Sequence, residues 1–149
     1  MTVQPAETWC GFQTAFRDNE EVAIKTQGEI EAAICDLIRR FELEYMGRGP
    51  KDVRTYLVGE LLVVRLQGVL TAAERHLVQS LTSADGRDLL KQVRSQLIES
   101  ARPMMVAMVQ EVAGAKVISL HHDISTITGE ELIVFTLAEP PAVREPKKK

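Results

Sequence analysis

VRTYLVGELLVVRLQ, residues 53–67, decides the fold. Two runs of strand-forming residues, Val53 to Val58 and Leu61 to Gln67, flank Gly59-Glu60, and a two-residue Gly-X link of this kind suits a type II′ turn. The stretch therefore reads as a β-hairpin. A second hairpin is expected near the other end of the chain, with Val117 to Ser125 and Glu131 to Leu137 placed around Thr128-Gly129-Glu130. Upstream of the first hairpin, Ile30, Ile34, Leu37, Ile38, Phe41 and Tyr45 recur at spacings of three and four. They predict an amphipathic helix from Gln27 that ends near Gly47, where MGRGPKDV breaks the period.

Between the hairpins, Thr71 is placed as an N-cap with Glu74 at the third helical position, a capping box that opens a short helix running to about Leu81. Ser83-Ala84-Asp85-Gly86 starts another helix, its apolar residues continue to Val112, and Gly114 stops it. Pro103 inside this pattern lacks a backbone donor and crowds the carbonyl of Glu99, which predicts either a kink or two abutting helices. The order α-ββ-α-α-ββ specifies an α+β domain, with one four-stranded antiparallel sheet made from the two hairpins and helices packed on one face. On a helical wheel Leu90, Val93, Leu97, Met104 and Met108 form one stripe, which Ile98, Met105 and Val109 widen to an arc of about 160°. A sheet contact needs less than that. The surplus serves helix packing within the chain or an interface with a partner or a second copy, and the sequence leaves these open.

The 149 residues are 45% apolar and 26% charged, which suits one ordinary core. Residues 27–137 form the domain. Residues 1–26 precede it as a partly mobile extension in which Trp9, Phe12 and Phe16 could pack as a short helix, and residues 138–149 follow as a mobile Pro/Lys-rich tail, AEPPAVREPKKK. The net charge of −3 argues against broad phosphate-driven nucleic-acid binding. No run approaches the roughly 18 apolar residues of a spanning helix, so direct membrane insertion is not expected. Cys10 and Cys35 make neither a disulfide framework nor a zinc motif, which points to free thiols in a reducing, cytoplasmic compartment.

Candidate chemistry is sparse. In His121-His122-Asp123 the two imidazoles alternate across a strand, so only His121 shares a face with Asp123, well short of a metal set. Gly47-Arg48-Gly49-Pro50-Lys51 puts two cations in a glycine-bearing loop, which reads as an anion or partner contact or simply as a helix stop. Residues 27–137 hold nine Arg against three Lys, a bias toward bidentate, partly buried pairing. Arg94 falls inside the apolar arc and so requires a carboxylate or a partner atom. Arg54 and Arg65 on opposite arms of the first hairpin, together with Arg102 before Pro103, complete a candidate basic cluster for ligand or partner recognition, with salt bridging as the structural alternative. No nucleophile motif or catalytic acid pair is visible, and neither a metal nor a cofactor is expected. The remaining enzymatic option is a loose acid/base site of Arg54, His121 and Asp123.

Four blocks together, EYMGRGPKDVRTY at 44–56, VRLQGVLTAAERHL at 64–77, GRDLLKQVRSQLIESARP at 86–103 and DISTITGEELIVFTL at 123–137, resemble the MpsC-type family of small bacterial proteins. The matching positions are Gly47, Arg48, Gly49, Pro50 and Arg54 in the first block and Leu70, Thr71 and Glu74 in the second. Arg94 and Pro103 match in the third, and Asp123, Ser125, Thr128 and Gly129 in the last. The resemblance implies a cytosolic, non-enzymatic accessory protein of a Na+-translocating, membrane-potential-generating or bicarbonate-uptake system. Its implied partner is a membrane transporter subunit or the large soluble subunit beside it. A homodimer is the further option that the wide helical arc allows. The alternative from a different class is a stand-alone small-anion or metabolite sensor using Arg48, Lys51 and Arg54. The first 26 residues and the KKK tail depart from the family pattern.

Overall fold

A computed structural model describes residues 24–80 and 83–146. The expectations for Trp9, Phe12 and Phe16 and for the last three lysines lie outside the described residues. Helix α1, Gln27–Tyr45, opens on a capping box in which the Thr26 hydroxyl accepts from the Glu29 amide and the Glu29 carboxylate accepts from the Thr26 amide. Its inward face buries Ile30, Ile34, Ile38 and Phe41, and Glu42 with them. Leu37 and Tyr45 lie at the margin of that stripe, with the Tyr45 ring stacked on Phe41 at 5.1 Å between centroids.

Strands β1, Asp52–Val58, and β2, Leu61–Gln67, form the expected hairpin, with Val58 opposite Leu61. Gly59 closes it with φ +60, the left-handed backbone that the first central residue of a primed turn requires. Helix α2, Ala72–Ser80, starts on the anticipated capping box, since Thr71 Oγ1 accepts from the Glu74 amide and Glu74 Oε1 accepts from the Thr71 amide. Helix α3, Ser83–Ala113, runs unbroken through Pro103, so the alternative of two abutting helices is not the one that forms. Buried Ala101 and Met105 flank the proline, and Arg102 bonds both Glu99 and the Leu120 carbonyl of the sheet, contacts that hold the helix together where one backbone donor is missing.

Strands β3, Val117–Ile124, and β4, Glu131–Leu137, complete one antiparallel sheet in the order β1-β2-β4-β3. Alternation sorts the strand residues. Val53, Leu57, Leu62, Val64, Leu66, Ile133, Phe135 and Leu137 are buried under the helices, while Arg54, Tyr56, Leu61 and Leu132 line the open face. On the covered face α1 packs on β1, α3 packs on β3, and α2 lies against α3. At roughly 46 Å, helix α3 is about twice as long as a strand of this sheet, so part of its apolar arc has no strand beneath it.

The tail from 138 to 146 contains neither helix nor strand, but it is tied down. Pro141 is buried, the Arg144 amide donates to the Lys25 carbonyl, and the Arg144 guanidinium bonds the Ile24 carbonyl and Glu29. Over these residues the tail lies against the start of α1. No helix among the described residues is long and apolar enough to cross a membrane.

Candidate functional site

Arg94 comes from the middle of α3 and is 7% exposed, as its helical angle requires. Its Nη2 donates to the Val69 carbonyl at 2.9 Å and to Glu74 Oε1 at 3.3 Å, while Nη1 donates to Glu131 Oε2 at 3.3 Å. Three elements therefore meet on one guanidinium: the β2–α2 junction at Val69, the capping carboxylate of α2, and the first residue of β4. Glu74 is held in this position because the same carboxylate closes the capping box. Burial by itself would raise the Glu74 carboxyl, but the Thr71 amide and Arg94 together bring it below the usual range.

Two more carboxylates make the site chemically unusual. Glu131 and Glu42 are 2% and 1% exposed, and each leaves Oε1 without a hydrogen-bond partner. Burial pushes the Glu42 carboxyl up to about 8, and the charge of Glu131 adds to the rise while Arg94 opposes it. Burial raises Glu131 as well, against the pull of Arg94 and His122. Two carboxylates, Glu74 and Glu131, thus bond one guanidinium, and Glu42, buried within range of their charges, has its carboxyl pushed upward so that its neutral form is favoured. A narrow cleft lined by Lys91, Ser95, His122 and Asp123 reaches Arg94 and Glu131 from the surface.

The other candidate cations are dispersed, and Arg48, Arg54, Arg65 and Arg102 are each bonded within the chain. Arg48 Nη1 donates to the Leu70 carbonyl at 2.8 Å, next to the Val69 carbonyl that Arg94 uses, so both cations brace the same junction. The stem of Lys51 packs against Gly68. Arg54 and Arg65 are cross-strand neighbours on the open face, bonded to Asp52 and Glu130 respectively. Arg94 sits on the covered side and Arg102 reaches the β3 edge, so these four arginines do not converge on one point. His121 is exposed on the open face, and Asp123 pairs with Lys91 at 3.3 Å. It is His122, turned toward the helices, that meets Glu99 at 3.2 Å, where Arg102 and His122 hold the Glu99 carboxyl down at about 2.

The surplus of the α3 arc opens onto a second feature, a groove of about 540 Å³ between α1 and α3. Leu37, Phe41 and Tyr45 form one wall and Met104, Met108 and Val112 the other, each set at i, i+4, i+8 spacing. A hydrogen bond between Tyr45 Oη and Ser100 Oγ ties the two helices together there.

Comparison with known proteins assigns the chain to a group. A family model described as the Na+-translocating membrane potential-generating system (MpsC) matches residues 26–139. The uncharacterized protein YbcI of Bacillus subtilis (strain 168) is 37% identical over 113 residues, covering 76% of this chain and 89% of its own. The uncharacterized protein YrhF of the same organism is 30% identical over 101 residues, covering 67% of this chain and 80% of its own. No solved structure matches the chain.

Proposed function

The chain belongs to the MpsC family of the Na+-translocating membrane potential-generating system, and from that premise we propose that it is a non-enzymatic accessory protein of such a system. It acts on the cytoplasmic side, reaching the inner face of the membrane through a protein partner, the transporter subunit or its large soluble companion. The α1–α3 groove is the observation that supports this reading, because a lone domain gains nothing by leaving Tyr45 and Met104 more than 40% exposed on facing helix walls. The alternative, a small-anion sensor using Arg48, Lys51 and Arg54, draws no support from the geometry, since Arg48 and Arg54 already have acceptors within the chain.

Deleting the gene in the parent organism should lower the membrane potential in Na+-containing medium, read with a cationic potential-sensitive dye, and have little effect when K+ replaces Na+. The wild-type chain should restore it. An equal potential with and without the gene in Na+ medium contradicts the accessory role.

A further inference from the structure

We propose that the α1–α3 groove is a dock for a Lys/Arg-bearing amphipathic helix, specifically a cytoplasmic juxtamembrane segment of the membrane subunit. The chemistry of the occupant is read from the groove itself. Its assignment to a membrane subunit rests on the accessory role proposed above.

The walls have the shape of a helix receptor. Leu37, Phe41 and Tyr45 on α1 face Met104, Met108 and Val112 on α3, so both sides present ridges at four-residue spacing between which the side chains of a third helix can interdigitate. Its volume of about 540 Å³ takes several apolar side chains from one helix face. Two methionines in the same wall supply a floor that reshapes around its ligand at low cost.

The rim selects the charge. Asp36, Glu44 and Glu111 border the groove against a single cation, Arg40, and all four are exposed. Of these acids Asp36 has a local ion pair with Arg39, at 3.4 Å and open to solvent, which neutralises it weakly. The complementary occupant carries basic residues beside its apolar stripe. A second copy docked groove to groove would set this acidic rim against itself, because a two-fold contact repeats the same patch on both sides. An anionic lipid surface would be repelled for the same reason. Cytoplasmic segments next to membrane spans carry an excess of Lys and Arg, which makes the membrane subunit the matching source.

The test uses the full chain and a fluorescently labelled peptide of about 16 residues, with leucines at i, i+3, i+4 and i+7 and lysines elsewhere, set against the same peptide with Glu for every Lys. By anisotropy the Lys peptide should bind at least roughly tenfold tighter than the Glu peptide, and should weaken several-fold as NaCl rises from about 50 to about 300 mM. The double variant Glu44→Lys/Glu111→Lys should reverse the preference. Glu60→Lys/Glu139→Lys, on exposed acids outside the groove, should leave Lys-peptide affinity within about twofold. The proposal is overturned if neither peptide binds, if the groove reversal leaves the preference unchanged, or if the control reversal weakens binding as much. It is also overturned if sedimentation finds a dimer that Met108→Glu dissociates, since a second copy then fills the groove. Loss of peptide binding with the Na+-dependent potential effect intact removes the dock and leaves the accessory role standing. The opposite pair of results does the reverse.

Discussion

Arg94→Ala should cost the isolated chain about 3–5 kcal/mol, the range for breaking a buried ion pair and leaving its partner uncompensated. The substitution removes the guanidinium that compensates Glu131, which is 2% exposed, and it strips the donor from the Val69 carbonyl. Glu74 loses a partner too, but it stays one-quarter exposed and keeps its bonds to Thr71, so most of the loss falls on Glu131. Urea denaturation followed by circular dichroism should show a lower midpoint with an unchanged slope. Because the cost lies in the orphaned carboxylate, adding Glu131→Leu to Arg94→Met should recover a large part of it, as apolar replacements of buried pairs commonly do. A single-variant loss below about 1 kcal/mol would mean that the guanidinium is hydrated rather than buried among these groups.

Glu42→Gln is expected to do the opposite, and to do it only above mildly acid pH. The Glu42 carboxyl is raised from its ordinary 4.5 to about 8, so the folded chain holds this proton more tightly than the unfolded one. A proton bound preferentially by the folded state makes stability fall as pH rises, beginning near 4.5 and levelling off beyond about 8. Glutamine stays neutral throughout and avoids that loss. The variant should match wild type near pH 4.5 and exceed it by on the order of 3–5 kcal/mol at pH 8. The same substitution leaves the groups facing Glu42 in place, namely Arg94 on α3, Glu131 on β4 and Glu74 on α2. A difference that does not change between pH 4.5 and 8 would show that Glu42 titrates as an ordinary surface acid.

The two predictions concern groups that differ in how far the sequence reveals them. Arg94 is visible from one helical wheel, because its angle places it among Leu90, Leu97 and Ile98. Its surroundings are not, since Glu74, Glu131 and Glu42 belong to three other elements and meet only once the strand order β1-β2-β4-β3 brings β4 into the sheet interior, between β2 and β3 on the sheet that α1 and α3 pack against. A local signal for two of them does exist. Glu42 follows Ile30, Ile34 and Ile38 at the next four-residue step, and Glu131 keeps the two-residue alternation of Ile133, Phe135 and Leu137, so each occupies a core position in its own pattern. Carboxylates at the ends of elements usually face water, and only tertiary structure shows that these do not.

The hairpins are the most legible part, because Gly59 and Gly129 punctuate alternating strands and the register follows from the turns. The arginine cluster is the least. Hairpin register does make Arg54 and Arg65 neighbours, yet whether Arg94 joins them depends on which face of the sheet α3 covers, and α3 covers the other one. The anchoring of the tail through Arg144 has no periodic signature at all. The long α3 arc predicts surplus apolar surface, and the structure directs part of it toward α1, where the acidic rim gives that surface a chemical preference.

A photo-crosslinking residue at Met108, installed in the full chain and activated in living cells, tests the central claim most directly. A cross-link mapping to a Lys/Arg-rich cytoplasmic segment of a membrane subunit of the Na+-translocating system, and absent when the same residue is placed at the exposed Ile118 of β3, outside the groove, is the predicted result. A Met108 cross-link only to a second copy of this chain, or the same products from Met108 and Ile118, would contradict it.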